Sequence, residues 1–254
     1  LLAMTRGLPL AIERTAMAAG RLGGREADLT EIVDRAARHL SATARQLLGS
    51  AAVYGPVTSV AELRTGLGCS EADALEAVRA GADAGVIEPT TRAELVFTHD
   101  LVRQAVSCWL SPSERAGVHR GAVQTLTDGG PARLPLAAEH AVALAAIDPA
   151  FSDEAIGVLL AAAEHHRSIG ALESALECCD RAVALADRSG ASLPARDRLS
   201  HANAALAAGQ LLRARDLYRL AATAGEVERE MPTFADAAIG LSGIWLGEHR
   251  DEHA

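Results

Sequence analysis

The residues best placed for chemistry lie in Phe97-Thr98-His99-Asp100, where a predicted β-strand runs into a predicted helix. Asp100 falls where an N-cap is expected, its oxygen accepting a backbone N–H of the first turn. His99 then stands at a strand-to-helix junction and points away from its own domain. A helix N-terminus favours anions, and a histidine beside it can donate to a phosphate. The same two side chains also suit a polar corner that only stitches a turn. Residue types alone leave both readings open.

Other chemistry finds less support. His165-His166 and Cys178-Cys179 suggest metal ligands, but each pair is adjacent, whereas zinc sites space their ligands by roughly two to four residues. Packing between paired helices accounts for them, and no metal is predicted. No Gly-x-Ser-x-Gly elbow occurs, so a hydrolase has no nucleophile. No Gly-x-x-x-x-Gly-Lys-[Ser/Thr] phosphate loop occurs either, since the glycines between 20 and 24 lack the lysine. The chain is therefore expected not to hydrolyse ATP and to carry no catalytic residues.

The elements that must position His99 are helical. Pro9 suits the first turn of a helix, where its missing N–H costs nothing. Leu10, Ala11, Ile12, Thr15 and Ala16 continue the helical stripe until Gly23-Gly24 stops it, and a short helix is expected over 32–40. Ser41 caps a helix with Ala44, Leu47, Leu48, Ala51 and Ala52 inward, broken at Gly55-Pro56. A second helix is predicted over 60–67. A third, over 70–84, is capped by Ser70, has Ala74, Leu75, Val78 and Ala82 inward, and ends at Gly85. A β-wing of residues 86–89 and 95–97, folded at 90–94, leads into His99. Three helices and a wing make a winged helix-turn-helix pattern. Its third helix offers Glu71, Asp73, Glu76 and Asp83 against one Arg79. Four carboxylates would be repelled by a phosphate-lined groove, which argues against direct DNA reading by this helix.

Ser111-Pro112-Ser113-Glu114 opens the next helix, with Val118, Ala122, Val123 and Leu126 inward and a stop at Asp128-Gly129-Gly130-Pro131. Beyond Pro135 the chain reads as paired helices over 136–147, 152–168 and 172–186. Gly170-Ala171-Leu172-Glu173-Ser174-Ala175 aligns with Gly209-Gln210-Leu211-Leu212-Arg213-Ala214, Cys179 with Tyr218, and Ala182 with Ala221. The shift of about 39 residues is near the roughly 34 of tetratricopeptide units. A third unit is expected from Phe234 through Trp245-Leu246-Gly247. The concave face of such repeats is the predicted ligand surface, open to a peptide, a protein or a small inducer. A purely structural scaffold remains the other reading.

Composition agrees. Of 254 residues, 49% are hydrophobic but only 3% aromatic, so the apolar mass is Ala, Leu and Val, as closely packed helical repeats require. The net charge of −9, with arginines scattered among acids, argues against general nucleic-acid or membrane-surface binding. Cys69, Cys108, Cys178 and Cys179 show no repeating spacing and read as buried free thiols of a reducing cytoplasm. Leu1-Leu2-Ala3 lacks the apolar core of a signal peptide, and no apolar run reaches the roughly 18 residues of a membrane span. The opening on Leu and the charged end suggest a piece of a longer protein.

Met4-Thr5-Arg6-Gly7-Leu8-Pro9-Leu10-Ala11, together with His99-Asp100, resembles the STAND signal-transduction ATPases, and more narrowly the large ATP-binding LuxR-type transcriptional regulators of bacteria. In that family a Gly-Leu-Pro-Leu-Ala stretch opens the helical lid and its proline packs on adenine. A Met-His-Asp motif in the following winged helix places its histidine on the β-phosphate of ADP. The resemblance thus implies nucleotide-binding roles for Gly7, Pro9 and His99, with Asp100 as capping partner; Thr98 replaces the motif's methionine. It implies the end of an ATPase lid at 1–40, a winged helix at 41–130 and truncated tetratricopeptide-like repeats at 131–254. The fold class expected is mainly α, a winged helix with a small β-wing followed by a helical-repeat solenoid. The function expected is that of a regulatory fragment switched by ATP and ADP in the full-length protein, with the phosphate loop upstream. An inducer or regulatory protein would bind the repeats, activation would bring self-association, and DNA would be bound only through a missing C-terminal domain. The alternative is a nucleotide-independent interaction module of winged helix and repeats.

Overall fold

The computed structural model describes residues 33–35, 37–61, 64, 68–88 and 94–251, with side chains described as far as 243. The architecture is mainly helical. The chain divides into two compact units, Leu1–Thr125 and Leu126–Ala254.

In the first unit, α1 (Ala42–Tyr54) starts at Ser41, whose hydroxyl accepts the Ala44 N–H at 3.1 Å. Its buried face is Ala44, Leu47, Leu48, Ala51 and Ala52, and α1 packs against α2 (Glu71–Asp83) and α3 (Asp100–Ser107). Ser70 caps α2 through the Asp73 N–H at 3.2 Å. The end of α2 is a left-handed turn at Gly85 (φ +66). There the Gly85 N–H donates to Ala82 O at 2.9 Å and the Val86 N–H to Gly81 O at 2.9 Å, so the last carbonyls of α2 find donors.

The inward face of α2 differs from the expected one. Ala74 is buried as expected, but its inward companions are Ala77 and Gly81, while Leu75 is 44% exposed and Val78 and Ala82 are only half-buried. Small residues face inward because α1 approaches closely: a Cβ on Gly81 would lie 3.0 Å from Leu48 Cδ2 and 3.2 Å from Ile87 Cγ1. The sheet differs too. β2 (Glu94–Val96) pairs antiparallel with β1 (Val57–Ser59), in the register Val57 to Val96, Thr58 to Leu95 and Ser59 to Glu94. Among the described residues the predicted hairpin partner pairs through an antiparallel bridge from Ile87 to Phe97, with the Glu88 N–H donating to Val96 O at 2.8 Å and the Thr98 N–H to Val86 O at 3.1 Å. The Thr58 hydroxyl returns to Ala51 O at 3.4 Å, which ties β1 to the end of α1. The 90–93 turn of the expected wing and most of 60–67 lie outside the described residues.

Helix α4 (Pro112–Asp128) opens with a reciprocal cap. The Ser111 N–H donates to Glu114 Oε2 at 2.8 Å and the Glu114 N–H to Ser111 Oγ at 3.3 Å.

The second unit is a run of helix hairpins: α5 (Leu134–Ile147), α6 (Ser152–Ser168), α7 (Leu172–Ser189), α8 (Ala195–Ala207), α9 (Leu211–Glu228) and α10 (Met231–Asp251). Packing is strongest between α6 and α7, α8 and α9, and α9 and α10. The sequence repeat has a backbone counterpart. At the α6–α7 turn Gly170 (φ +77) donates to Arg167 O and Ala171 to His166 O; at the α8–α9 turn Gly209 (φ +75) donates to Leu206 O and Gln210 to Ala205 O. Every donor and acceptor of the second turn lies 39 positions after its counterpart. Ala175 and Ala214, Cys179 and Tyr218, and Ala182 and Ala221 are all buried at equivalent places. Helix α10 starts at Met231, three residues before the expected Phe234. Of the cysteines, Cys178 and Cys179 are buried, but Cys69 is half-buried and Cys108 exposed, against the expectation of uniform burial. No helix among the described residues is long and apolar enough to cross a membrane.

Candidate functional site

His99 sits in extended backbone (φ −162°, ψ 149°) between β2 and α3, half-buried. It is the N-cap of α3: its Nδ1 accepts the Leu101 N–H at 3.1 Å. A ring nitrogen that accepts carries no proton, so the imidazole's proton is on Nε2, which is left as a donor. Asp100 is not the cap, contrary to expectation. It already belongs to the first turn, and its carboxylate is held by side chains further along α3. Arg103 Nε donates to Oδ1 at 2.8 Å and Gln104 Nε2 to Oδ2 at 2.6 Å. Those contacts, the Arg103 hydrogen bond foremost, hold the Asp100 carboxyl below its ordinary range. Arg103 also donates through Nη1 to Ala52 O at 2.9 Å, which satisfies a carbonyl near the end of α1. Asp100 thus tethers the start of α3 to α1 through Arg103, and His99 is the group with a free donor.

Gly7 and Pro9 lie outside the described residues, so of the predicted nucleotide-binding set only His99 and Asp100 have a described place. Arg103 and Gln104 escaped the sequence reading. Their signal was the spacing of Asp100 with i+3 and i+4 partners on a predicted helix.

A second candidate lies wholly within the second unit. A groove of about 680 Å³ runs between α6, α7 and α8, within the usual range of small-molecule sites. Asp197, Ser200 and Asn203 line one wall at successive turns of α8. Leu160, Ala163 and the Glu164–Arg167 pair form the opposite wall on α6. Arg167 bridges both oxygens of Glu164, through Nε at 2.8 Å and Nη2 at 2.5 Å. The floor is α7, including Cys179, whose thiol burial pushes up to about 12. Such a thiol stays protonated and unreactive at neutral pH. Among the described residues no group of three or more His, Cys, Asp or Glu could hold a metal ion.

On α8 itself, His201 is buried and its Nε2 lies 2.7 Å from Asp180 Oδ1, to which the Arg213 guanidinium also bonds. Burial lowers the His201 pKa from 6.5, although the Asp180 hydrogen bond opposes the shift. An unfolded chain therefore binds this proton first as pH falls. Stability contributed at this position is complete above 6.5 and lost as pH drops from there through the lower folded value. Urea unfolding of the wild type should show this loss, and His201→Gln should remove it from that pH range. An unchanged slope in His201→Gln would assign the loss to another group.

No family model matches the chain, and no curated protein matches it. Among solved structures, the crystal structure of a Signal Transduction ATPase with Numerous Domains (STAND) protein with a tetratricopeptide repeat sensor, from Pyrococcus horikoshii, aligns over 96% of this chain at 13% identity and a TM-score of 0.45. It is a distant structural neighbour. The chain spans 40% of that protein's length.

Proposed function

We propose that this chain is the regulatory portion of an ATP/ADP-switched bacterial transcriptional regulator of the STAND, LuxR-like kind, itself without catalytic residues. Residues 1–40 end an ATPase lid, 41–130 form a winged helix and 131–254 form tetratricopeptide-like repeats. With ADP bound, His99 and Pro9 clamp the nucleotide, and the phosphate loop comes from sequence upstream. An inducer or regulatory protein on the repeats, with exchange of ADP for ATP, releases the clamp and allows self-association in the cytoplasm. DNA is bound by a domain beyond this chain. Consistent with that, α2 exposes Glu71, Glu76 and Asp83 beside its Arg79, an unsuitable face for a DNA groove.

The observation that carries this reading is the His99 cap. The Leu101 N–H occupies Nδ1, so the ring is held in one orientation with Nε2–H as its remaining donor, the group a phosphate oxygen needs. The test is ADP affinity of the full-length protein. His99→Ala should weaken ADP by roughly ten- to a hundredfold, the worth of a hydrogen bond to a charged group. His99→Asp should do the same while keeping a good helix cap, which separates the contact from the fold. Unchanged affinity and basal activity in both would rule the clamp out.

The groove of the second unit favours one other reading, an interaction module that needs no nucleotide, because the groove is complete within that unit. A phosphate loop within the upstream ATPase-sized stretch would decide for the switch.

A further inference from the structure

We propose that the groove between α6, α7 and α8 binds a small organic cation, an ammonium group carried on an apolar arm, with Asp197 as its counter-charge. This rests on the sensing role given above to the helical hairpins and names the ligand class, but it does not involve the nucleotide.

Three observations lead there. First, Asp197 is a carboxylate whose side chain is 22% exposed, and it accepts no hydrogen bond among the described residues. Its one ion-pair contact is Arg196 Nε at 3.6 Å, on a side chain that is 74% exposed and hence solvated. Burial raises the Asp197 pKa; the Arg196 charge opposes the shift without cancelling it, and the neighbouring Glu230 and Glu228 carboxylates add to it. A carboxylate partly withdrawn from water and left without donors is destabilised, and an ammonium donor would relieve it.

Second, the amide of Asn203 is oriented from behind. The Tyr218 hydroxyl donates to Asn203 Oδ1 at 2.6 Å, so the Nδ2 donors are the end of the amide left for the groove. Ser200 donates its own proton to Arg196 O at 3.1 Å and keeps its lone pairs as acceptors. The wall on α8 therefore offers acceptors at Asp197 and Ser200 and donors at Asn203, a pattern suited to an ammonium with a polar neighbour.

Third, the rest of the groove is apolar or already neutralised. Leu160, Ala163 and Leu172 supply apolar contact, and Cys179 remains a neutral thiol. The one cation on the opposite wall, Arg167, is engaged with both oxygens of Glu164. An anionic ligand would meet the Asp197 charge with no uncommitted cation facing it.

The experiment is isothermal titration of the chain, without nucleotide, using phenylbutylamine as probe. Phenylbutanol and phenylbutyrate, which share the arm but not the charge, are the controls. Saturable one-to-one binding of the amine is expected, at least about tenfold tighter than the alcohol, with the carboxylate weaker still. Asp197→Asn should reduce amine binding to the level of the alcohol without lowering the melting temperature, since it removes a half-buried charge.

Equal binding of amine and alcohol, a preference for the carboxylate, no saturable binding, or an unaltered affinity in Asp197→Asn would each overturn the proposal. Binding of a lysine-containing peptide through Asp197, with no binding of the free amine, would overturn it in favour of a peptide site. Failure of the His99 clamp would leave these outcomes unchanged, so the two readings fall separately.

Discussion

Replacing Tyr218 by alanine should cost about 3–5 kcal/mol of stability, the range for emptying a buried aromatic site. Tyr218 is 2% exposed, the largest of the fully enclosed side chains among the described residues. Its ring lies against the backbone of α10, so close that a Cβ on Gly240 would sit 2.5 Å from Tyr218 Cε1 and 2.6 Å from Cζ. Its hydroxyl is anchored on Asn203 of α8. The ring thus ties three helices together, and nothing small can fill the space it leaves. Tyr218→Phe, which removes only the hydrogen bond, should cost about 1 kcal/mol. Gly240→Ala should cost about 1–3 kcal/mol by overpacking, yet much less in a Tyr218→Ala background, where the added methyl has room. Urea unfolding of the four chains tests this. Additive losses would mean that ring and glycine do not share a site. One repeat earlier the equivalent positions are Cys179 and His201, both buried, with the bulk on the other member of the pair.

The second large effect is expected in the first unit. Gly81→Val should destabilise it by about 1–3 kcal/mol or more, because its Cβ alone would already press on Leu48 Cδ2 at 3.0 Å and on Ile87 Cγ1 at 3.2 Å. Leu48 and Ile87 are both fully buried and have nowhere to retreat. Leu48→Ala alone should cost about 2–5 kcal/mol through the cavity it opens. The double variant should lose clearly less than the sum, since each change relieves the other. Strict additivity, measured by chemical denaturation, would show that α1 and α2 do not meet at this point. Loss of the Gly81 crossing should also disturb the turn at Gly85, because Gly81 O accepts the Val86 N–H.

These two sites mark the limit of what could be read from the chain alone. The alignment of Cys179 with Tyr218 located an equivalent inward position, but not its contact with Gly240, which comes from the next helix. In α2, apolar periodicity placed Ala74 inward correctly but also Leu75, Val78 and Ala82, whereas the close approach of α1 selected Ala77 and Gly81 beside Ala74. Size, not hydrophobicity, decided which face turned inward. At the candidate nucleotide contact, Asp100 was the better cap by residue type. The chain instead enters the helix one residue earlier, and Arg103, reaching toward Ala52, draws the Asp100 carboxylate along α3. The pairing of β2 with β1 was equally hidden, because Val57–Ser59 is distant in sequence and too short to show strand alternation. The row Asp197, Ser200 and Asn203 was visible as helical spacing, but nothing in it announced a groove.

By itself the sequence determined the helical character, the caps at Ser41, Ser70 and Ser111, the stop at Gly85, and the 39-residue repeat that aligns Gly170 with Gly209. Each depends on backbone dihedrals and hydrogen bonds reaching only a few residues along the chain. Tertiary structure alone decided which faces pack, which strand pairs with β2, how His99 is turned and where Asp197 meets a cavity. Those outcomes depend on the distance between elements remote in sequence, and that distance is set by the volumes of all the side chains between them.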